Sequence, residues 1–194
     1  MLRSLRRQTT GMLRRYLEQF PEEQEKFDLL QSQLQSGEDC FVRSNMLGHI
    51  TTSAAVLSVD RKRILLIDHR ILNLWMPPGG HYENDGADTL WESAAREVAE
   101  ETGVSTLVQE EWCLDHLAPF DIDTHRVPAN PAKGEGEHQH HDFRFLAIAP
   151  EESELVPQLA EVRDAKWAPI AALRGTANRR LTTLADKLER LRIV

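Results

Sequence analysis

Between Arg96 and Val104 the chain reads Arg-Glu-Val-Ala-Glu-Glu-Thr-Gly-Val, which places three carboxylates, Glu97, Glu100 and Glu101, at i, i+3 and i+4. If the stretch is helical these acids share one face, because residues three and four apart are neighbours on a helix surface. Like charges at that spacing repel by roughly 0.2–0.5 kcal/mol per pair. They also occupy the last turn before Gly103, where the partial negative charge of a helix C-terminus makes each acid cost about 0.3–1 kcal/mol. Arg96 offsets part of this cost. A hard divalent cation held by oxygen ligands, Mg²⁺ or Mn²⁺, would account for the whole cluster. The competing reading is a solvated acidic face on an exposed helix.

The elements that must position these acids are marked locally. Thr89 followed three residues later by Glu92 is a capping box, and Gly103 suits a left-handed C-cap, so a helix is expected over about 89–102. Trp91, Ala95, Val98 and Thr102 would face a sheet. Upstream, Pro77 and Pro78 fix the backbone ahead of Gly79 and Gly80, which permit a turn and close approach of the main chain to a ligand. Strand, glycine turn and acidic helix thus read as one continuous unit.

The rest of the chain frames that unit. Its 194 residues, 41% hydrophobic and 28% charged, suit one globular domain over residues 49–194 with an appendage over 1–48. In the appendage Leu13, Leu17 and Phe20, then Phe27, Leu30 and Leu34, form two apolar stripes separated by Pro21, the pattern of a helical hairpin. Such a hairpin packs on the main domain or builds a homodimer contact. No apolar run approaches the ~20 residues that span a bilayer, the basic N-terminus lacks a signal-peptide core, and Cys40 and Cys113 have no metal-ligand spacing. These features point to a cytoplasmic protein with reduced thiols and no membrane association. The net charge is −8, and removing the five arginines of the first fifteen residues leaves −13 on the remainder. A body this acidic is a poor partner for long nucleic acid.

Two strands are expected from His49 to Val59 and from Ile64 to Arg70, and a further strand from Val104 to Leu114. The polar stretch from His116 to His138 is too long for an ordinary connection and reads as a loop for substrate selection, with Asp121, Asp123, His125, Arg126, Glu135 and Glu137 as candidates. From His138 to Ala149 strand alternation puts His138, His140, Asp142 and Arg144 on one side, and His141, Phe143 and Phe145 on the other. The first set suggests a second metal site or a phosphate-binding surface; a partly solvated strand face with one histidine buried is the alternative. A short strand over Lys166–Pro169 and a helix over about 178–192 close the chain.

The run Arg96 to Val104 resembles, position for position, the second half of the Nudix box, Arg-Glu-aliphatic-any-Glu-Glu-any-Gly-aliphatic. The first half departs from the box. Its first acid is Asp88 instead of Glu, and the loop from Gly80 is two residues longer, so Asp88 stands between metal binding and helix capping. The His-rich strand with Asp142-Phe143-Arg144-Phe145 is similar to the corresponding strand of a bacterial Nudix subgroup. The resemblance covers about residues 49–192. It implies an α/β fold, the Nudix α/β/α sandwich with a mixed sheet, extended by the N-terminal helices. It also implies a Mg²⁺- or Mn²⁺-dependent pyrophosphohydrolase cleaving a diphosphate linkage in a nucleoside diphosphate derivative. In that reading Glu97, Glu100 and Glu101 bind the metal, with Glu100, Glu97 and Arg96 as catalytic residues. Gly80, His140, Asp142 and Arg144 contact a small nucleotide-type substrate. The alternatives are a non-hydrolytic nucleotide-sensing domain and a diphosphatase or isomerase acting on a non-nucleotide diphosphate.

Overall fold

The computed structural model describes residues 2–83, 89–131, 134–150 and 154–194. Among these, helices α1 (Leu2–Gln19) and α2 (Asp28–Ser36) are joined by a 3-10 segment, Pro21–Phe27. Strands β1 (Gly48–Ser58), β2 (Arg63–His69), β3 (Leu74–Met76) and β4 (Gly79–His81) follow, then α3 (Leu90–Thr102), β5 (Val108–Gln109), α4 (Glu111–His116), β6 (Asp121–Val127), β7 (His138–Ala149), β8 (Val162–Pro169) and α5 (Arg179–Arg190). The strands form one mixed sheet ordered β3-β2-β1-β7-β5, with β4 on β1, β6 on β7 and β8 on β2. This is the expected α/β architecture with flanking helices and an N-terminal helical segment.

The chain divides into two compact units. One comprises Met1–Ser53, Gly80–Ala94 and Glu111–Phe145; the other comprises Ala54–Gly79, Ala95–Glu110 and Leu146–Val194. In the first, α1 and α2 bury Leu13, Tyr16, Phe20, Phe27, Leu30 and Leu34, both expected stripes except Leu17, which is only half-buried. Tyr16 packs on Phe20 and Phe27 with ring centroids 4.8 and 5.8 Å away, a geometry that favours edge and tilted contacts. The Arg6 guanidinium donates to the carbonyls of Gln33, Leu34, Gly37 and Glu38, satisfying acceptors that the end of α2 leaves unpaired. Gln33, buried on α2, donates to the Gly48 carbonyl at 2.8 Å and pairs with His141 Nε2 at 3.0 Å. The appendage is therefore tied to β1 and β7 by a buried polar link as well as by apolar packing.

In the second unit, β2 and β8 pair antiparallel over Arg63↔Pro169 to His69↔Val162, and Ile67, Val162 and Ala165 pack with Met76 and Leu155. β8 is longer than the Lys166–Pro169 segment expected. The Asn178 side chain caps α5 by accepting from the Arg180 N–H, and Leu181, Leu184 and Leu188 are buried.

Three expectations need correction. Val104–Leu114 is mostly not a strand: Val108–Gln109 is, and Glu111–His116 is helical, with buried Cys113 facing the core. The stretch from His116 to His138 is not a single loop, because Asp121–Val127 forms β6, paired antiparallel with β7 from Asp121↔Arg144 to Val127↔His138. Gly79 and Gly80 do not turn; they lie in β4, and the glycines with positive φ among the described residues are Gly37, Gly103 and Gly134.

Candidate functional site

Helix α3 begins as its sequence dictates. The Thr89 N–H donates to Glu92 Oε2 at 2.9 Å, and the Glu92 N–H donates to Thr89 Oγ1 at 3.1 Å, the reciprocal pair of a capping box. It ends at Gly103, whose φ of 78° is the left-handed conformation and whose N–H donates to the Ala99 carbonyl. Asp88 lies outside the described residues.

The last two turns of α3 carry the acids. Glu97 and Glu101, one turn apart, are 7% and 2% exposed, whereas Glu100 is exposed. Arg96 bridges two of the three: its Nη2 lies 2.9 Å from Glu97 Oε1 and its Nη1 2.7 Å from Glu100 Oε2. Glu101 Oε2 instead accepts the Gly79 N–H at 2.8 Å, which is the observed task of the glycine segment. Burial pushes the Glu97 carboxyl up to about 7; Arg96 opposes this, and the charges of Glu100 and Glu161 reinforce it. Burial also raises Glu101, to about 8, against the Gly79 N–H and with the help of Glu97, Glu161 and Glu100.

Both carboxyls are therefore held where a negative charge is costly. That donor set, hard oxygens from one helix with an excess of negative charge, fits a divalent cation. Glu161, an exposed residue directly before β8, is the acid that sequence reading missed; no spacing links it to α3, and only the fold brings its charge to bear on Glu97 and Glu101.

The polar residues of β6 and β7 form a second constellation. Arg144, its side chain 8% exposed, donates from Nη1 to Asp121 Oδ2 at 2.7 Å and from Nη2 to Asp142 Oδ2 at 2.9 Å. Its Nε donates to Ser53 Oγ, which in turn donates to Asp142 Oδ2 at 2.7 Å. Thr51 Oγ1 lies 3.4 Å from the other Asp142 oxygen. The guanidinium is thus matched by two carboxylates, as a buried charge must be. His138 and His140 approach through their Nε2 atoms at 3.2 Å, and burial holds His140 down to about 2. His141, on the other side of β7, bonds Gln33 and Thr124. Of the loop candidates, Asp121 enters the Arg144 network and His125 pairs with Asp123, whereas Arg126, Glu135 and Glu137 form ion pairs at the surface.

Trp75, Tyr82 and Trp112, the rings whose size suits stacking on a base, each contact another side chain. Lys166 Nζ sits 3.6 Å from the Trp75 ring centroid, Tyr82 is buried against Phe41, and Trp112 stacks on His116.

Known proteins resemble this chain in sequence and in fold. Over 115 residues the chain is 28% identical to a protein of Lactococcus lactis subsp. cremoris (strain MG1363) named Probable DHNTP pyrophosphohydrolase, covering 59% of this chain and 64% of that protein's length. Its fold is similar to that of a C. elegans Ap4A hydrolase in a binary complex, with a TM-score of 0.53 at 20% identity, covering 73% of this chain and 96% of the other. The NUDIX domain of Shewanella oneidensis NrtR complexed with ADP ribose superposes with a TM-score of 0.51 at 20% identity, covering 84% and 98%. The model of the NUDIX domain matches residues 49–188, from β1 through most of α5 and including the acidic helix; the chain belongs to the Nudix family.

Proposed function

We propose that the chain is a divalent-metal-dependent pyrophosphohydrolase that cleaves a diphosphate linkage in a nucleotide-type small molecule. The observation that carries this reading is the pair Glu97 and Glu101, buried on one face of α3 with Glu100 alongside and Arg96 bridging Glu97 and Glu100. Glu97, Glu100 and Glu101 would hold Mg²⁺ or Mn²⁺, which supplies charge neutralisation and Lewis-acid polarisation of a diphosphate oxygen. Hydrolysis of such a bond has little covalent chemistry for the protein to perform, so positioning and electrostatics dominate.

The residues divide that work. Arg96 orients Glu97 and Glu100 through charge-assisted hydrogen bonds. The Gly79 N–H aims Glu101. A carboxylate whose burial gives it high basicity accepts the proton of the attacking water as its oxygen bonds to phosphorus and the phosphate leaving group departs. Gly80 contributes close main-chain approach to the substrate. The engagement of Arg144 by Asp121 and Asp142 supports a positioning role for Asp142 and Arg144, in which they hold β6 and β7 in register.

Similar proteins are named for DHNTP, Ap4A and ADP-ribose, and these head a panel of candidate substrates with nucleoside triphosphates, nucleotide sugars and nicotinamide dinucleotides. The test is product analysis across that panel with and without Mg²⁺. Cleavage at a phosphoanhydride bond that stops on chelation is expected. Binding of a panel member without turnover would mark a sensing domain instead, and turnover confined to non-nucleotide diphosphates would overturn the nucleotide assignment.

A further inference from the structure

We infer that His49, His138 and His140 form a first-row transition-metal site, for Zn²⁺ in the first instance, that uses none of the carboxylates of α3. The three residues each offer one ring nitrogen within 4.8 Å of the others. His49 and His138 are 1% and 4% exposed, so two of the three rings have been taken out of water.

The surroundings define which nitrogen each ring offers. His138 Nδ1 lies 2.7 Å from the Gly136 carbonyl, and His49 Nδ1 lies 3.1 Å from the Asn45 carbonyl. A carbonyl only accepts, so both rings carry their proton on Nδ1 and present a lone pair at Nε2. Backbone-fixed tautomers of this kind are the usual outer shell of a metal-bound histidine.

Two consequences are visible. His49 Nε2 is buried with no hydrogen-bond partner among the described residues, whereas buried polar atoms are ordinarily paired. His138 Nε2 faces His140 Nε2 at 3.2 Å. Two nitrogens bound to a tetrahedral ion at about 2.0–2.1 Å stand about 3.3 Å apart, so this edge already has the dimension of a zinc site. The His81 ring lies 5.1 Å from that of His49 and 5.2 Å from that of His140, at the edge of the same cluster.

An all-imidazole set selects zinc, cobalt, nickel or copper over magnesium, whereas the carboxylates of α3 select the reverse. Asp142, which the alternation of β7 groups with the two histidines, is instead committed to Ser53 and Arg144, and His49 on β1 takes its place. A metal here would tie β1 to β7.

The test uses the full-length protein, stripped with chelator and titrated with Co²⁺ and then Zn²⁺. The expected result is one equivalent of Co²⁺ with the intense visible bands of a four-coordinate nitrogen-ligated ion, displaced by Zn²⁺. His138→Gln and His140→Gln should weaken binding on the order of 100-fold or more, while Glu101→Gln keeps the bands. X-ray absorption of the zinc-loaded wild type, which needs no variant to fold, should show imidazole nitrogens at about 2.0 Å. Absence of the bands, their loss in Glu101→Gln, or an all-oxygen shell would overturn the site.

Discussion

Replacing Glu101 by Gln should stabilise the metal-free protein at alkaline pH and destroy part of its response to pH. The carboxyl titrates near 4.5 when exposed and near 8 in the fold. Between those values the native state binds the proton more tightly than the unfolded chain, so stability is greatest below the lower value and falls as pH rises towards the upper one. At 1.36 kcal/mol per pH unit, the full fall is about 5 kcal/mol, of which about 3 kcal/mol lies between pH 6 and pH 9. Glu97, raised to about 7, adds a smaller fall over the same interval. Glutamine preserves an oxygen to accept the Gly79 N–H but cannot ionise. Urea denaturation in the presence of EDTA, at pH 6 and pH 9, measures the difference directly. Wild type should lose stability across that interval, and Glu101→Gln should lose about 3 kcal/mol less. Mg²⁺ should restore wild type at pH 9 and stabilise the variant by about 1.4 kcal/mol less at the same concentration. Parallel pH profiles for the two proteins would refute the assignment of a desolvated, cation-seeking carboxylate at Glu101.

Other substitutions separate function from framework. Glu100→Gln, at an exposed ion pair with Arg96, should change stability by no more than about 1 kcal/mol while turnover with the best substrate falls by far more than twofold; thermal melts and initial rates check the two halves. Arg144→Met leaves buried Asp142 and partly buried Asp121 without their cation and should cost about 3–5 kcal/mol by chemical denaturation. Thr89→Ala removes one arm of the capping box of α3 and should cost about 1 kcal/mol, visible as a lowered melting temperature.

The acidic helix was legible because its signals are local. Thr89 and Glu92 act within three residues of each other, Gly103 acts on the turn just before it, and the hydrogen bonds and the left-handed φ they predict are present. The apolar stripes of α1 and α2 and the first two strands were readable for the same reason. Strand β6 was hidden because Asp121, Asp123 and His125 occupy the positions where an ordinary half-buried strand shows apolar residues. Their partners, Arg144, Asp142 and His140, stand opposite them only once β6 pairs with β7. His49 sits inside a run of apolar and small residues, and its proximity to His138 and His140 is a property of the sheet. Glu161 carries no spacing relation to Glu97 or Glu101 at all. Gly79 and Gly80 have the composition of a turn, yet their extended conformation serves a main-chain donor for Glu101.

The central claim, that the carboxylates of α3 hold the divalent cation, is tested most directly by Mn²⁺ binding followed by electron paramagnetic resonance in wild type, Glu97→Gln, Glu100→Gln and Glu101→Gln. The account predicts bound Mn²⁺ in an oxygen environment in wild type, displaced by Mg²⁺, with affinity reduced at least about tenfold in each variant. Mn²⁺ bound equally well by all four proteins would contradict it.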